Sequence, residues 1–305
     1  MRRRLLALVL TLCLGAIVVF WASGRAAPFY FAWVTAQDAG VPHVLAANRI
    51  ADIDGKAVEG LTSNLSGLTY SSRTDTLFAV INRPPQVAEL STDGRLLRLM
   101  PVLGSIDPEG ISHIEGDTFV LSDEGDQSLH WVSIRPESTS VQLGQGHRMT
   151  LGIDYSRNMG FEGVSWDSVT RSLYLVQEMR PMRVIRVTGL DSAMRGGRLA
   201  LDIRQWSLPS LKGFLMLDLS SVSFNESSET LLLLSHMSAF LAEFDADGQP
   251  LGFLSLRAGE NGLADTIQQA EGLALDADGR LYIVSEPNLF YRFTAPQGAV
   301  RNAAR

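Results

Sequence analysis

Cysteine is almost missing from this chain: Cys13 is the single thiol among 305 residues, so no disulfide can form within it. Also missing are low-complexity tracts and, beyond the first residues, runs of like charge, which excludes a disordered tail-like protein. There is no excess of positive charge. The formal net charge is -7, and without a basic stripe to displace counterions from phosphates, nonspecific nucleic-acid binding is excluded. Beyond the N-terminal leader no long stretch keeps a helical period, so a helix bundle is excluded as well. What is present is a 46% apolar, 19% charged composition, enough to bury a substantial core.

The leader is a membrane-targeting segment. Arg2, Arg3 and Arg4 precede an apolar run from Leu5 to Trp21, longer than a usual signal-peptide core, and Ala22-Ser23-Gly24 makes a poor cleavage site. This favours an uncleaved transmembrane anchor with the arginines in the cytoplasm and the remainder outside. A lipid anchor at Cys13 is disfavoured because Leu12 is too bulky for the position before a lipidated cysteine. Ala26, Ala27, Pro28, Phe29, Tyr30, Phe31 and Trp33 continue as an aromatic cluster suited to the membrane interface. The expected layout is residues 1–4 cytoplasmic, 5–24 spanning, 25–43 a juxtamembrane linker, 44–294 one domain and 295–305 a C-terminal tail.

The domain repeats itself. LSGLTYSSRTDTLFAVIN from Leu65, PEGISHIEGDTFVLSDEGD from Pro108, FEGVSWDSVTRSLYLVQE from Phe161, LSSVSFNESSETLLLLSH from Leu219 and AEGLALDADGRLYIVSE from Ala270 follow one pattern. Each has a β-prone triplet, a polar turn and a second apolar run, which reads as an antiparallel hairpin. A weaker strand pair often follows, as in Val87 to Leu90 and Leu96 to Val102 around Asp93-Gly94. Four strands per unit, with centres at Leu68, Ile111, Val164, Val222 and Leu273, predict an all-β, five-bladed β-propeller. A β-sandwich would not need five similar hairpins. The fifth unit is one strand short, and Val44 to Ile53 is expected to supply its outer strand and close the ring.

The first strand of each blade lines the axis and the second returns beside it, so hairpin starts and ends share one mouth. The starts are Ser66, Glu109, Glu162, Ser220 and Glu271, and the ends are Asn82, Asp123, Glu178, His236 and Glu286. Six of these ten are carboxylates, which repel one another unless protonated, hydrated or neutralised by a cation. A hard cation with many oxygen ligands answers this, and Ca²⁺ suits a wide mouth better than Mg²⁺. Zn²⁺ fits poorly, with His236 the one nitrogen ligand. The expected metal ligands are therefore Glu109, Glu162, Glu271, Asp123, Glu178, Glu286, Asn82 and His236, with Asp218, Asp107 and Glu124 as weaker candidates. Solvated turn carboxylates are the bland alternative. Trp131, Trp166, His113 and His130 read as packing residues, and Met179, Pro181, Met182 and Leu211 to Leu217 as connecting loops.

The stretches NLSGLTY, PEGISHI, FEGVSWD and AEGLALD, behind a short membrane anchor, resemble the SdiA-regulated (YjiK) family of β-propellers from about Val44 to Phe293. The resemblance implies a bacterial inner-membrane protein, single-pass, with its propeller in the periplasm, linked to calcium response and tolerance. The Glu-Gly motif stands at Glu109, Glu162 and Glu271, while Ser66 and Ser220 replace the glutamate in blades 1 and 4. The leading expectation is calcium binding at the channel mouth. A metal-dependent hydrolase of phytase or lactonase type, with Asp123 or His236 as base, and a protein-interaction scaffold are the alternatives.

Overall fold

The computed structural model describes residues 2–22, 26–35, 44–46, 48–62, 64–104, 106–152, 160–179, 181–206 and 216–295. The expected loop segment 211–215, Arg180 and the tail beyond residue 295 lie outside these. A 21-residue helix, α1 (Arg2–Ala22), precedes a second, α2 (Ala26–Thr35), and a 3-10 turn at Val44–Ala46. Strand β1 (Ile50–Ala57) then leads into the propeller.

Blade 1 contains β2 (Leu65–Ser71), β3 (Thr76–Ile81), β4 (Gln86–Leu90) and β5 (Leu96–Leu103). Blade 2 contains β6 (Pro108–Glu115), β7 (Thr118–Asp123) and β8 (Ser128–Ser133). The two-residue β9 (Val141–Gln142) crosses back to pair parallel with β5, before β10 (Arg148–Thr150) closes blade 2. Blade 3 is β11 (Phe161–Asp167), β12 (Ser172–Gln177), β13 (Arg183–Thr188) and, after the short α3 (Leu190–Met194), β14 (Asp202–Trp206). Blade 4 is β15 (Ser221–Asn225), β16 (Thr230–Ser235), β17 (Phe240–Phe244) and β18 (Pro250–Ser255). Blade 5 is β19 (Ala270–Leu275), β20 (Leu281–Ser285) and β21 (Leu289–Thr294), completed by β1.

The outer strand borrowed from before the first blade is thus β1, antiparallel to β21 from Ile50↔Thr294 to Ala57↔Leu289. It begins later than expected, because Val44 and Leu45 turn to give their backbone N–H groups to the buried carboxylate of Glu243 in blade 4, at 3.0 and 2.8 Å. Arg292 of β21 clasps Asp52 of β1 at 2.6 Å. The joining strand is therefore tied to two blades. Loss of that pairing would expose β21 as an unprotected edge.

Blades are buried on both faces, which is why their middle strands read as unbroken apolar runs such as Leu231 to Leu234. Each inter-blade space holds a separate apolar cluster; Trp131 and Trp166 share the one between blades 2 and 3. A hydroxyl ladder adds polar register near the axis. Thr69 Oγ1 accepts the His113 N–H at 3.1 Å, Ser112 Oγ that of Trp166 at 2.9 Å, and Ser165 Oγ that of Phe224 at 2.9 Å. Within the stretch expected as a linker, α2 seats Phe31 against Phe240, Phe244 and Phe253 of blade 4.

Candidate metal centre

The inner strands approach one another too closely for a side chain, and this explains the glycine of Glu-Gly. A Cβ on Gly67 would lie 2.4 Å from Glu109 O of blade 2; on Gly110, 3.0 Å from Val164 N of blade 3; on Gly163, 3.0 Å from Val222 N of blade 4; on Gly272, 2.9 Å from Leu68 Cβ of blade 1. Removing the side chain brings the strand starts together around the axis.

The glutamate has its own device. In blades 2, 3 and 5 the β-ladder jumps from Pro108↔Asp123 to Gly110↔Ser122, from Phe161↔Gln177 to Gly163↔Val176, and from Ala270↔Ser285 to Gly272↔Val284. Glu109, Glu162 and Glu271 are the unpaired residues of these bulges, and a bulge re-aims the side chain it carries. Blade 4 has no such shift, since Ser221 pairs regularly with Leu234. Blade 1 places its irregularity at Gly67 rather than Ser66.

Among the described residues the mouth so formed contains two groups. Ligand atoms of Asp107, Glu109 and Glu124 lie within 4.8 Å of one another, as do those of Glu178, Asp218 and His236. In the first group Glu109 accepts hydrogen bonds from Ser66 Oγ (2.9 Å) and Asn82 Nδ2 (2.8 Å), and Asn82 in turn accepts one from Asn64 (2.8 Å). In the second, His236 Nδ1 stands 3.0 Å from Asp218 and 3.3 Å from Glu271. Asp218 also receives Ser235 Oγ and the backbone N–H groups of His236 (3.2 Å) and Met237 (3.1 Å).

Glu162 sits between the groups, coupled to Glu109, Glu124, Glu178 and Glu271, and has no hydrogen-bond partner among the described residues. Burial, and then those four neighbours, raise its carboxyl far above the usual range. Burial also pushes Glu109 up to about 7, with the Asn82 and Ser66 bonds pulling against it. Glu271 rises to about 8, again first through burial, with His236 opposing and Glu286, Asp218 and Glu178 adding to the rise. Burial lifts Glu124 and Glu178 as well. His236 rises to about 9, chiefly through contact with Asp218. A mouth with this many carboxyls raised by burial and by one another is short of positive charge. Arg83 reaches Asp107 at 3.4 Å but is mostly exposed, so water and salt screen it.

The structure thus brings Glu109, Glu162, Glu178, Glu271 and His236 together, with Asn82 supporting Glu109. Glu286 stands at the same end, held by Gln269 at 3.2 Å and coupled to Glu271. Asp123 is differently employed: its Oδ1 accepts the backbone N–H groups of Asp107 and Gly125, both at 3.1 Å, shaping the turn that presents Asp107 and Glu124. Asp107, Glu124 and Asp218, ranked weaker by sequence, are all members of the two groups. They lie one or two residues outside the repeat register, and only turn geometry carries them inward. The opposite end of the channel is a cavity of about 770 Å³ whose lining mixes Tyr70, His113, Trp166 and Phe224 with Arg73, Glu115, Glu226 and Asp276.

A five-bladed β-propeller with one acidic mouth is the class these features define. The chain belongs to the SdiA-regulated family, whose model matches residues 43–294. Among solved structures it is similar to the glutaminyl cyclase of Myxococcus xanthus, with 15% identity, 81% of this chain and 97% of that one covered, and a TM-score of 0.55. It is also similar to regucalcin, a calcium-binding protein of Agrobacterium tumefaciens, with 12% identity, 79% and 93% covered, and a TM-score of 0.50. At these identities the likeness shows the fold alone.

Proposed function

We propose that this chain is a membrane-anchored propeller that binds a divalent cation, Ca²⁺, at its acidic mouth and takes part in calcium response or homeostasis. The observation that carries this reading is Glu162: a carboxyl without a hydrogen-bond partner among the described residues, surrounded by four others and re-aimed by a bulge. Such a group costs stability unless something positive joins it. The Asp107, Glu109 and Glu124 group offers oxygen ligands alone, the donor set of a hard cation. The Glu178, Asp218 and His236 group adds a nitrogen. Regucalcin, described as calcium-binding, has a fold of this kind, but the case for Ca²⁺ rests on the carboxylates of this chain.

Anchoring is supported by α1. Its window Arg4–Trp21 has a mean hydropathy of 2.3, and none of that window is buried. That length and composition suffice to cross a bilayer. With Arg2 and Arg4 retained in the cytoplasm, the propeller lies in the periplasm.

The test is calorimetric titration of the detergent-solubilised chain with CaCl₂ after chelation. Saturable binding that is lost in the double variant Glu109→Gln/Glu271→Gln supports the reading; absence of binding at millimolar Ca²⁺ overturns it. A metal-dependent hydrolase is the second reading, favoured by the His236–Asp218 pair beside the carboxyls. His236, raised to about 9, is protonated at neutral pH without a metal and so suits a proton donor better than a base. Turnover of lactones or phosphate esters that disappears with His236→Gln would establish it.

A further inference from the structure

The rim of blades 3 and 4 carries apolar surface that neither the cation site nor the core uses. On α2 the helical spacing divides the residues: Ala27 and Phe31 are buried against the propeller, whereas Phe29 and Trp33, also four apart, are 65% and 59% exposed. On blade 3, Leu199 and Leu201 just before β14 and Ile203 within it form an exposed apolar face, interspersed with the exposed charges of Arg198, Asp202 and Arg204. β14 is the outermost strand of its blade, so this face lies at the perimeter of the ring. The two surfaces belong to neighbouring elements, since Trp206 at the end of β14 packs on Phe244, the ring that Phe31 also meets.

What covers them is indicated by the tether. Phe20 near the end of α1 packs edge-on against Phe29 of α2 at 5.9 Å. From Ala22 to Ala26 the chain takes four steps, which reach at most about 14 Å. With α1 in a bilayer, α2 therefore begins at the lipid surface, and α2 is itself seated on blade 4 by Phe31. A short tether joined to a docked helix leaves little freedom for the ring to stand away from the membrane. Exposed Phe29 and Trp33 suit the interfacial layer where aromatic side chains collect.

Resting on the anchored reading above, we propose that the rim of blades 3 and 4, through Phe29, Trp33, Leu199, Leu201 and Ile203, lies on the lipid surface. The propeller then rests on its side. Blades radiate perpendicular to the channel axis, so a rim on the membrane sets that axis parallel to the bilayer, and both mouths open along its surface. Cations concentrated by anionic headgroups would meet the acidic mouth directly.

The experiment uses the full chain reconstituted in phosphatidylethanolamine–phosphatidylglycerol vesicles, with Cys13→Ser as background because Cys13 is the one native cysteine. Nitroxide labels go singly on Leu201→Cys and Ile203→Cys at the rim, on Leu97→Cys in blade 1 and Met237→Cys at the acidic mouth, and on Val9→Cys in α1. Collision with lipid-soluble oxygen is compared with collision with a water-soluble nickel chelate. The expected result is a several-fold higher oxygen-to-nickel ratio at 201 and 203 than at 97 and 237, with the highest ratio at 9. Labels at 201 and 203 as wet as those at 97 and 237, while 9 is in lipid, overturn the rim proposal and leave the anchor standing. A wet label at 9 overturns both. Spin–spin broadening between rim labels of separate chains would assign the face to a second copy and also overturn the proposal.

Discussion

Replacing Glu162 with glutamine should separate stability from cation binding, because the two depend on its charge in opposite directions. In the metal-free chain the folded state must either protonate this carboxyl or hold it ionised beside Glu109, Glu124, Glu178 and Glu271. The size of that burden can be read from Glu109, whose carboxyl moves from 4.5 to about 7, an interval equivalent to about 3 kcal/mol. Glu109 has two hydrogen bonds to relieve it and Glu162 has none among the described residues, while burial and four carboxylate neighbours push Glu162 in the same direction. Glutamine keeps the shape and removes the charge. At pH 8 in chelator, Glu162→Gln should be more stable than the wild type, its Tm higher by several degrees, since each kcal/mol gained raises Tm by roughly 2–4 °C for a domain of this size. Ca²⁺ at one hundred times its dissociation constant stabilises the wild type by about 3 kcal/mol through mass action and should do little for the variant. The assay is thermal unfolding followed by circular dichroism, with and without Ca²⁺, where the variant's lead in chelator should close in Ca²⁺. A variant less stable than wild type in chelator, or one with an undiminished Ca²⁺ shift, refutes the reasoning.

Three further outcomes are expected. Glu109 at about 7 and Glu271 at about 8 bind protons more tightly folded than unfolded, where 4.5 applies, so metal-free stability falls as pH rises from about 5 to 8. His236, raised from 6.5 to about 9, acts in the same direction up to that pH. Because Ca²⁺ competes with these protons, its effect on Tm should grow from pH 6 to 8, and a shift independent of pH would contradict the site. Gly110→Ala places a methyl 2.6 Å from Ser122 Oγ and 3.0 Å from Val164 N, so it should cost about 1–3 kcal/mol in urea unfolding and weaken Ca²⁺ binding by displacing Glu109. Glu243→Ala leaves the N–H groups of Val44 and Leu45 without their acceptor and frees the closing strand; about 2–4 kcal/mol should be lost, with faster amide exchange in β1 than in β16.

Much of the architecture could be read from the chain because every blade repeats the same local chemistry. Apolar triplets at Leu68, Ile111, Val164, Val222 and Leu273, each followed by a polar turn, fix the hairpins, and a fifth blade short of a strand requires a donor from elsewhere. The acidic starts and ends could be read for the same reason. What escaped the sequence lies between blades. The bulges at Glu109, Glu162 and Glu271 each precede a glycine crowded by the neighbouring inner strand, at Val164, Val222 and Leu68 respectively, contacts between residues far apart in the sequence. Asp218 falls outside the repeat register, so only the loop geometry near β16 shows that it grips His236. The crossing of β9 onto blade 1 and the docking of α2 by Phe31 likewise depend on partners that no local pattern encodes.

The most direct test of the cation site is a crystal of this chain soaked in CaCl₂ and measured where calcium scatters anomalously. The expected result is a peak in the mouth about 2.3–2.6 Å from carboxylate oxygens of the Glu109 or Glu178 group, close to Glu162. A mouth filled by water alone, with any anomalous peak elsewhere on the surface, would contradict it.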